Sequence, residues 1–380
     1  MIYFNNAATS YPKPDEVNEA LMDFLNNPPG KSARSSANPE TIDVVSECRQ
    51  NLAKLFNYNS DPKGIILNSG STESLNLAIR GLDLKGAHVI TTAIEHNSVL
   101  RPLKHLERDG IIELTIIDCD PDTYIDPQKF REEIRSNTRA IIVNHTSNVT
   151  GVILDIKTIA EIAHSANALI IVDASQAAGN IPIDFDGSNL DLMAFTGHKS
   201  LYGLQGTGGL AIHPGVKLTP LKYGGTGVMS NQLYQPDLLP YYYEAGTANM
   251  AGITALNAGV KYVLRKGIDN IRAKKSAHVK RMIDELGKLS RIKIYTKGEH
   301  NSLVNFCFNI DGMAPEEIGY ALDSIYGITV RTGIHCAPLL LKVINAAPFG
   351  TVRSSPSYFT ADNETDLFIA AVREITETFL

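Results

Sequence analysis

The chain is poor in cysteine and contains no long apolar or basic run, and each scarcity argues against a class of protein. Four cysteines occur, Cys48, Cys119, Cys307 and Cys336, and no two of them have C-x-x-C spacing. That argues against a zinc site and a disulfide framework, so no metal is expected and each thiol is judged by its surroundings. No stretch reaches the roughly 18 consecutive apolar residues of a membrane span. Met1 to Asn6 also lack the basic and apolar segments of a leader, so no membrane partner and a cytoplasmic location are expected. The net charge is −6 and no block of Lys or Arg exceeds a few residues, which leaves nucleic acid a poor partner. Internal repeats and low-complexity tracts are missing as well.

What is present is ordinary soluble-protein composition, 43% hydrophobic and 20% charged over 380 residues, enough for about two domains. Short apolar runs recur at Gly64 to Leu67, His88 to Thr91, Ile112 to Ile117, Ala140 to Val143, Leu169 to Val172, Leu192 to Phe195 and Gly209 to Ile212. Most are separated by helical patterns such as Ile156 to Ala166. Runs apolar on both faces read as parallel strands between helix layers, which predicts an α/β fold with a doubly wound sheet. Gly224 to Tyr243 reads as a long ordered loop and Ala248 to Arg265 as a helix. Beyond it come a helix (Ile271 to Lys288), a strand (Leu303 to Ile310), a helix (Pro315 to Tyr326), strands near Thr329 and Val352, and a closing helix (Asp362 to Phe379). This pattern suggests a smaller α+β domain.

Ligands in such sheets sit beyond the carboxyl ends of the strands, and there the polar clusters gather. Asp173 ends the run Leu169 to Val172, and Lys199 follows in Thr196-Gly197-His198-Lys199. A loop lysine with a carboxylate at a strand tip is what pyridoxal phosphate needs: an amine for a Schiff base, and an acid that keeps a proton on the pyridine nitrogen. Gln176 has an amide for the ring oxygen, and Thr196 and His198 have donors for phosphate. Gly70-Ser71-Thr72 before a helical run makes a phosphate cradle, although without Lys199 a plain N-cap would be the favoured reading. His96 follows a strand and suits stacking and proton movement, or is a satisfied polar residue. Asn148 fits the cofactor ring oxygen, a substrate carboxylate, or a simple turn. Gly246-Thr247 is a weaker phosphate candidate. Cys336 stands in a Gly- and Pro-bearing loop with Arg331 and His335, neighbours that favour thiolate, whereas Cys307 lies in an apolar strand and Cys48 and Cys119 have acidic neighbours. Arg353 has the fork geometry for an α-carboxylate.

With these residues assembled, the chain resembles the fold-type I enzymes of the class V aminotransferase group, and within it the cysteine desulfurases. The resemblance runs from Asn5-Asn6-Ala7-Ala8-Thr9 through Gly70-Ser71-Thr72, Glu95-His96, Ser147-Asn148, Asp173-x-x-Gln176 and Thr196-Gly197-His198-Lys199 to Glu244-Ala245-Gly246-Thr247 and Arg331-Thr332-Gly333-x-His335-Cys336-Ala337. The last motif is closest to the SUF-type and selenocysteine-lyase-like branch. It departs from that branch at Ile334 and in the apolar run Ala337 to Leu341.

The resemblance implies a mainly parallel, doubly wound sheet of about seven strands in a large domain (15–257), with a small α+β domain from 1–14 and 258–380 that carries Cys336 and Arg353. It implies pyridoxal 5'-phosphate as cofactor and catalytic roles for Lys199, Cys336 and His96. Ser71, Thr72, His96, Asn148, Asp173, Gln176, Thr196, His198, Gly246 and Thr247 would bind the cofactor, Thr247 from the partner subunit of a homodimer, and Asn148 with Arg353 would bind substrate. The implied reaction takes sulfur from L-cysteine, leaving L-alanine and a persulfide on Cys336, which a mobile loop passes to a sulfur-acceptor protein. Selenocysteine lyase, cysteine-sulfinate lyase and transaminase are alternatives on the same scaffold; a silent binding scaffold is another.

Overall fold

The computed structural model describes residues 1–27 and 43–378. Phe379, expected to end the last helix, lies outside the described residues. The first half of the chain runs β1 (Ile2–Tyr3), α1 (Asp15–Asn26), α2 (Val44–Phe56), β2 (Ile65–Asn68), α3 (Ser71–Gly81), β3 (Ala87–Thr92), α4 (Asn97–Arg108), β4 (Ile112–Ile117) and α5 (Gln128–Glu132). It continues with β5 (Thr138–Asn144), α6 (Ile156–Ser165), β6 (Leu169–Asp173), β7 (Leu192–Thr196) and β8 (Gly208–Ile212). The rest is α7 (Met250–Lys266), α8 (Ile268–Leu286), β9 (Ile292–Ile294), β10 (Phe306–Ile310), α9 (Pro315–Tyr326), β11 (Ile328–Thr329), β12 (Arg331–Gly333), α10 (Pro338–Val343), β13 (Thr351–Ser354) and α11 (Asp362–Thr378).

All seven expected runs are strands of one sheet, in the order β2-β8-β7-β6-β5-β3-β4. Alternate residues of one strand enter different cores: Ile170 and Val172 pack with α2, α6 and α7, while Ile171 packs with α3 and α4. Burial on both faces is why these strands read as unbroken apolar runs.

Two expectations need correction. β8 is antiparallel to both β7 and β2, so the sheet is mixed. The link from β7 to β8 has no crossover helix; Gly197 N donates to Thr207 O at 2.8 Å, and the chain simply turns back. β4 is an edge strand, and Glu113 on it is exposed rather than buried.

A second sheet, β12-β13-β10-β9, packs with α8, α9 and α11 around Phe306, Phe308 and Phe368. Phe4 belongs to this core, and β1 pairs in parallel with β11. The long segment 224–243 contains neither helix nor strand. No helix among the described residues is long and apolar enough to cross a membrane.

Candidate active site

The carboxyl ends of β5, β6 and β7 converge, so the last residue of each strand, Asn144, Asp173 and Thr196, lies at the same edge of the sheet. A small cavity at this edge is lined by Ser71, His96, Asn148, Asp173, Gln176 and Lys199, among others. The fold therefore gathers six residues that lie far apart in sequence.

Asp173 is buried, and one carboxylate oxygen accepts from Ser175 N at 2.9 Å and from the Ser175 hydroxyl. These donors fix the carboxyl group at the strand tip. Lys199 sits within the β7–β8 reversal. Burial lowers its amine to about 8, with Arg353 and Arg331 adding to the effect, while Asp173 opposes it. A lysine near its titration point at neutral pH is a usable nucleophile.

His96 caps α4, its Nδ1 accepting from Ser98 N at 3.1 Å. Burial pulls the imidazole down to about 4, although Asp173 works the other way, so the ring is neutral with its proton on Nε2. Gln176 donates from Nε2 to Ala7 O at 3.0 Å, which leaves its second amide hydrogen for another acceptor. Asn148 donates to His335 O at 2.7 Å, and its own Oδ1 is buried without a partner. The same is true of His198 Nδ1.

Ser71 and Thr72 open α3, with Gly70 as the cap at φ 143° and no side-chain cap bond. The plain N-cap reading of these hydroxyl residues therefore fails. Their backbone N–H groups and hydroxyls begin a helix whose first turn no side chain caps, as an anion site requires. Thr196 is buried at the end of β7 near this turn. Gly246 and Thr247 are exposed and line a different, larger cleft of about 710 Å³. Within one chain they do not join the Lys199 cavity.

Cys336 follows β12 in a turn. A guanidinium nitrogen of Arg331 lies 3.5 Å from its sulfur, a cationic donor that stabilises negative charge there. His335 does not share that role: burial, with Arg353 and Arg331 nearby, pulls its pKa well below 6.5, so it is neutral. The expected mobile loop is a short turn pinned by Asn97 N to Cys336 O at 2.8 Å, and α10 begins at Pro338, two residues after the cysteine. Ala337, Leu340 and Leu341 enter the main core, which accounts for the apolar run after the cysteine. Burial pushes the other thiols up, Cys48 and Cys307 to about 12 and Cys119 to about 11; at Cys48 and Cys119 the acidic neighbours act in the same direction but less strongly.

Arg353 is fully buried on β13, directly opposite Arg331 on β12. Like charges facing each other across strands are unfavourable without an anion. Arg353 donates to Asn148 O at 2.7 Å and Asn5 Oδ1 at 3.3 Å, and its Nε has no partner. Among the described residues neither guanidinium is paired with a carboxylate, and their forked donors have the chemistry to bind one.

The sequence named Glu95 only as part of the Glu95-His96 motif, without a role, and did not single out Ser175. Glu95 is wholly buried, raised to about 8 by burial, with one oxygen unpartnered and the other accepting from Asn144 N at 3.0 Å. Its neighbour His96 was the only local signal.

The profile of the family described as Aminotransferase class-V matches residues 2–368. A probable cysteine desulfurase of Methanothermobacter thermautotrophicus is 32% identical, over 97% of this chain and 94% of that protein. The cysteine desulfurase IscS of Dictyoglomus turgidum is 29% identical, over 99% of this chain and 94% of that protein. The crystal structure of the cysteine desulfurase CsdA from Escherichia coli superposes with a TM-score of 0.89 at 27% identity, covering 99% of this chain and 94% of that one. The end-to-end match in sequence and fold places this chain in the class-V aminotransferase family.

Proposed function

We propose that this chain is a pyridoxal-phosphate-dependent cysteine desulfurase, converting L-cysteine to L-alanine and leaving the sulfur as a persulfide on Cys336. The observation that carries this reading is a thiol beside Arg331, close enough to Lys199 to influence its charge, with Arg353 near the same amine. A transaminase needs the lysine but has no use for the thiol.

The residues fit the cofactor. Ser71, Thr72, Thr196 and His198, with Thr247 of the partner subunit of a homodimer, would hold its phosphate; Asp173 its ring nitrogen; Gln176 and Asn148 its ring oxygen; and His96 its face. The unpartnered buried imidazole nitrogen of His198, an open helix start and a lysine lowered to about 8 are the features that support this fit. When bound, pyridoxal 5'-phosphate supplies an electron sink for charge at the substrate α-carbon.

The chain's own residues do the rest. Arg353 and Asn148 orient the substrate carboxylate by charge-assisted and amide hydrogen bonds. Lys199 Nζ, brought down to about 8 and so free of its proton in a minor fraction of molecules at neutral pH, takes the Cα proton and returns it as alanine forms. The Cys336 sulfur attacks the substrate sulfur: a sulfur–sulfur bond forms, the carbon–sulfur bond breaks, and its electron pair stays on Cβ, which takes up a proton to become the alanine methyl. Carbon is reduced and sulfur oxidised, so no outside oxidant is required.

We place the domain boundary as the sequence suggests, with 15–257 as the large domain and 1–14 and 258–380 as the small one. A sulfur-acceptor protein would take the persulfide, and a reducing cytoplasmic setting suits four free cysteines. The test is to incubate the pyridoxal-phosphate-loaded protein with L-cysteine and a reductant and measure alanine and sulfide together. Equal amounts are expected, and Cys336→Ala should abolish both. Full turnover in Cys336→Ala, or alanine consumed with a keto acid and no sulfide, would overturn the reading.

A further inference from the structure

After Gly333 the chain makes a turn that its residues do not favour by themselves. Ile334 O accepts from Ala337 N at 3.1 Å, and the two residues between, His335 and Cys336, have φ of 51° and 60°. Consecutive positive φ values follow the I′ pattern, which Asn and Gly usually fill because a Cβ crowds the backbone there. The conformation persists only when surrounding structure enforces it.

Three elements do so. Asn97 N, at the start of α4, holds Cys336 O at 2.8 Å, and the Asn148 side chain holds His335 O at 2.7 Å. The third contact runs through the imidazole. His335 is 2% exposed, and its Nε2 lies 2.9 Å from both the carbonyl and the hydroxyl oxygen of Thr351 on β13. A carbonyl oxygen only accepts, so Nε2 carries the proton, and Nδ1 of the neutral ring is left buried without a partner.

From this geometry we infer that His335 is a positioning residue for Cys336: its Nε2–H latches the strained turn to Thr351 and thereby fixes the sulfur beside Arg331. The ring acts as a single directed donor and not as a charge. The inference rests on reading Cys336 as the sulfur-accepting thiol.

Two amides distinguish the latch from general packing. Gln at position 335 can place its nitrogen where Nε2 stands, whereas Asn places it nearer Nδ1, short of Thr351. His335→Gln should keep alanine release within about threefold of wild type, while His335→Asn should lose about tenfold to a hundredfold in kcat with KM for L-cysteine nearly unchanged. In cofactor-free protein, iodoacetamide should alkylate Cys336 at an altered rate in His335→Asn, by about threefold or more, and at a near-normal rate in His335→Gln. The other three cysteines are buried, and Cys336→Ser sets the background. Wild-type behaviour of His335→Asn in both assays overturns the latch. So does equal damage in both variants with an equal loss of thermal stability. If wild-type protein releases no alanine from L-cysteine, the desulfurase reading falls, yet the alkylation comparison still decides the latch.

Discussion

Lys199 owes its chemistry to its surroundings. An exposed lysine titrates near 10.4, but burial beside two guanidiniums brings this one to about 8. The shift is downward, so the amine is protonated below that value and becomes free as the pH rises through it. Capture of an added aldehyde by cofactor-free protein should therefore increase with pH with a midpoint near 8, followed by absorbance. A midpoint near 10 would mean that the buried environment is wrong, and Lys199→Ala should show no capture at the site. The sequence pointed to Lys199, Asp173 and Gln176 because strand ends are where ligands meet an α/β sheet. It hid the neutrality of His335 and the facing of Arg331 and Arg353, because those depend on Thr351 and on the register of β12 against β13.

Elements legible in sequence were those whose whole length is buried. β5 and β6 are apolar on both faces and unmistakable, whereas α1, in which Val17 alone is fully buried, was not singled out. The direction of β8 was not readable, since an apolar run looks the same either way round. Its position can be tested through Gly208, where an added Cβ would meet Phe195 O at 2.5 Å and Gly70 Cα at 2.6 Å, both backbone atoms. Gly208→Ala should cost about 1–3 kcal/mol, as overpacking does. Because Gly70 caps α3, it should also weaken binding of pyridoxal 5'-phosphate more than of pyridoxal. Gly225→Ala, with open space around it, is the control. Thermal melting and absorbance titration of both variants check this, and a Gly208→Ala protein as stable as the control would contradict the close approach.

At the scale of the molecule, the proposed phosphate site calls on Thr247 of a second copy. It lies outside the Lys199 cavity, near a segment whose Leu233 and Tyr234 are 99% and 89% exposed. Exposed apolar side chains of this size commonly mark a contact surface. If a second copy covers them and delivers its Thr247, Leu233→Asp with Tyr234→Asp should shift sedimentation toward monomer and weaken cofactor binding in parallel. A wild-type monomer with full cofactor affinity would refute the shared site. The segment Ile2 to Lys13 ties the halves together differently: β1 pairs with β11, Ala7 O holds Gln176, Ser10 N donates to His198 O at 3.0 Å, and Lys13 Nζ donates to Gly203 O at 2.7 Å. During synthesis these residues leave the ribosome ahead of those distant partners, and Ser355, which donates to Phe4 O, lies 351 residues further along the chain. Such long-range closure is slow, since distant contacts form only after the intervening chain is ordered. A nascent chain can thus complete the large sheet, whose last strand in sequence is β8, before β11 and Ser355 exist to hold the N-terminal segment in place.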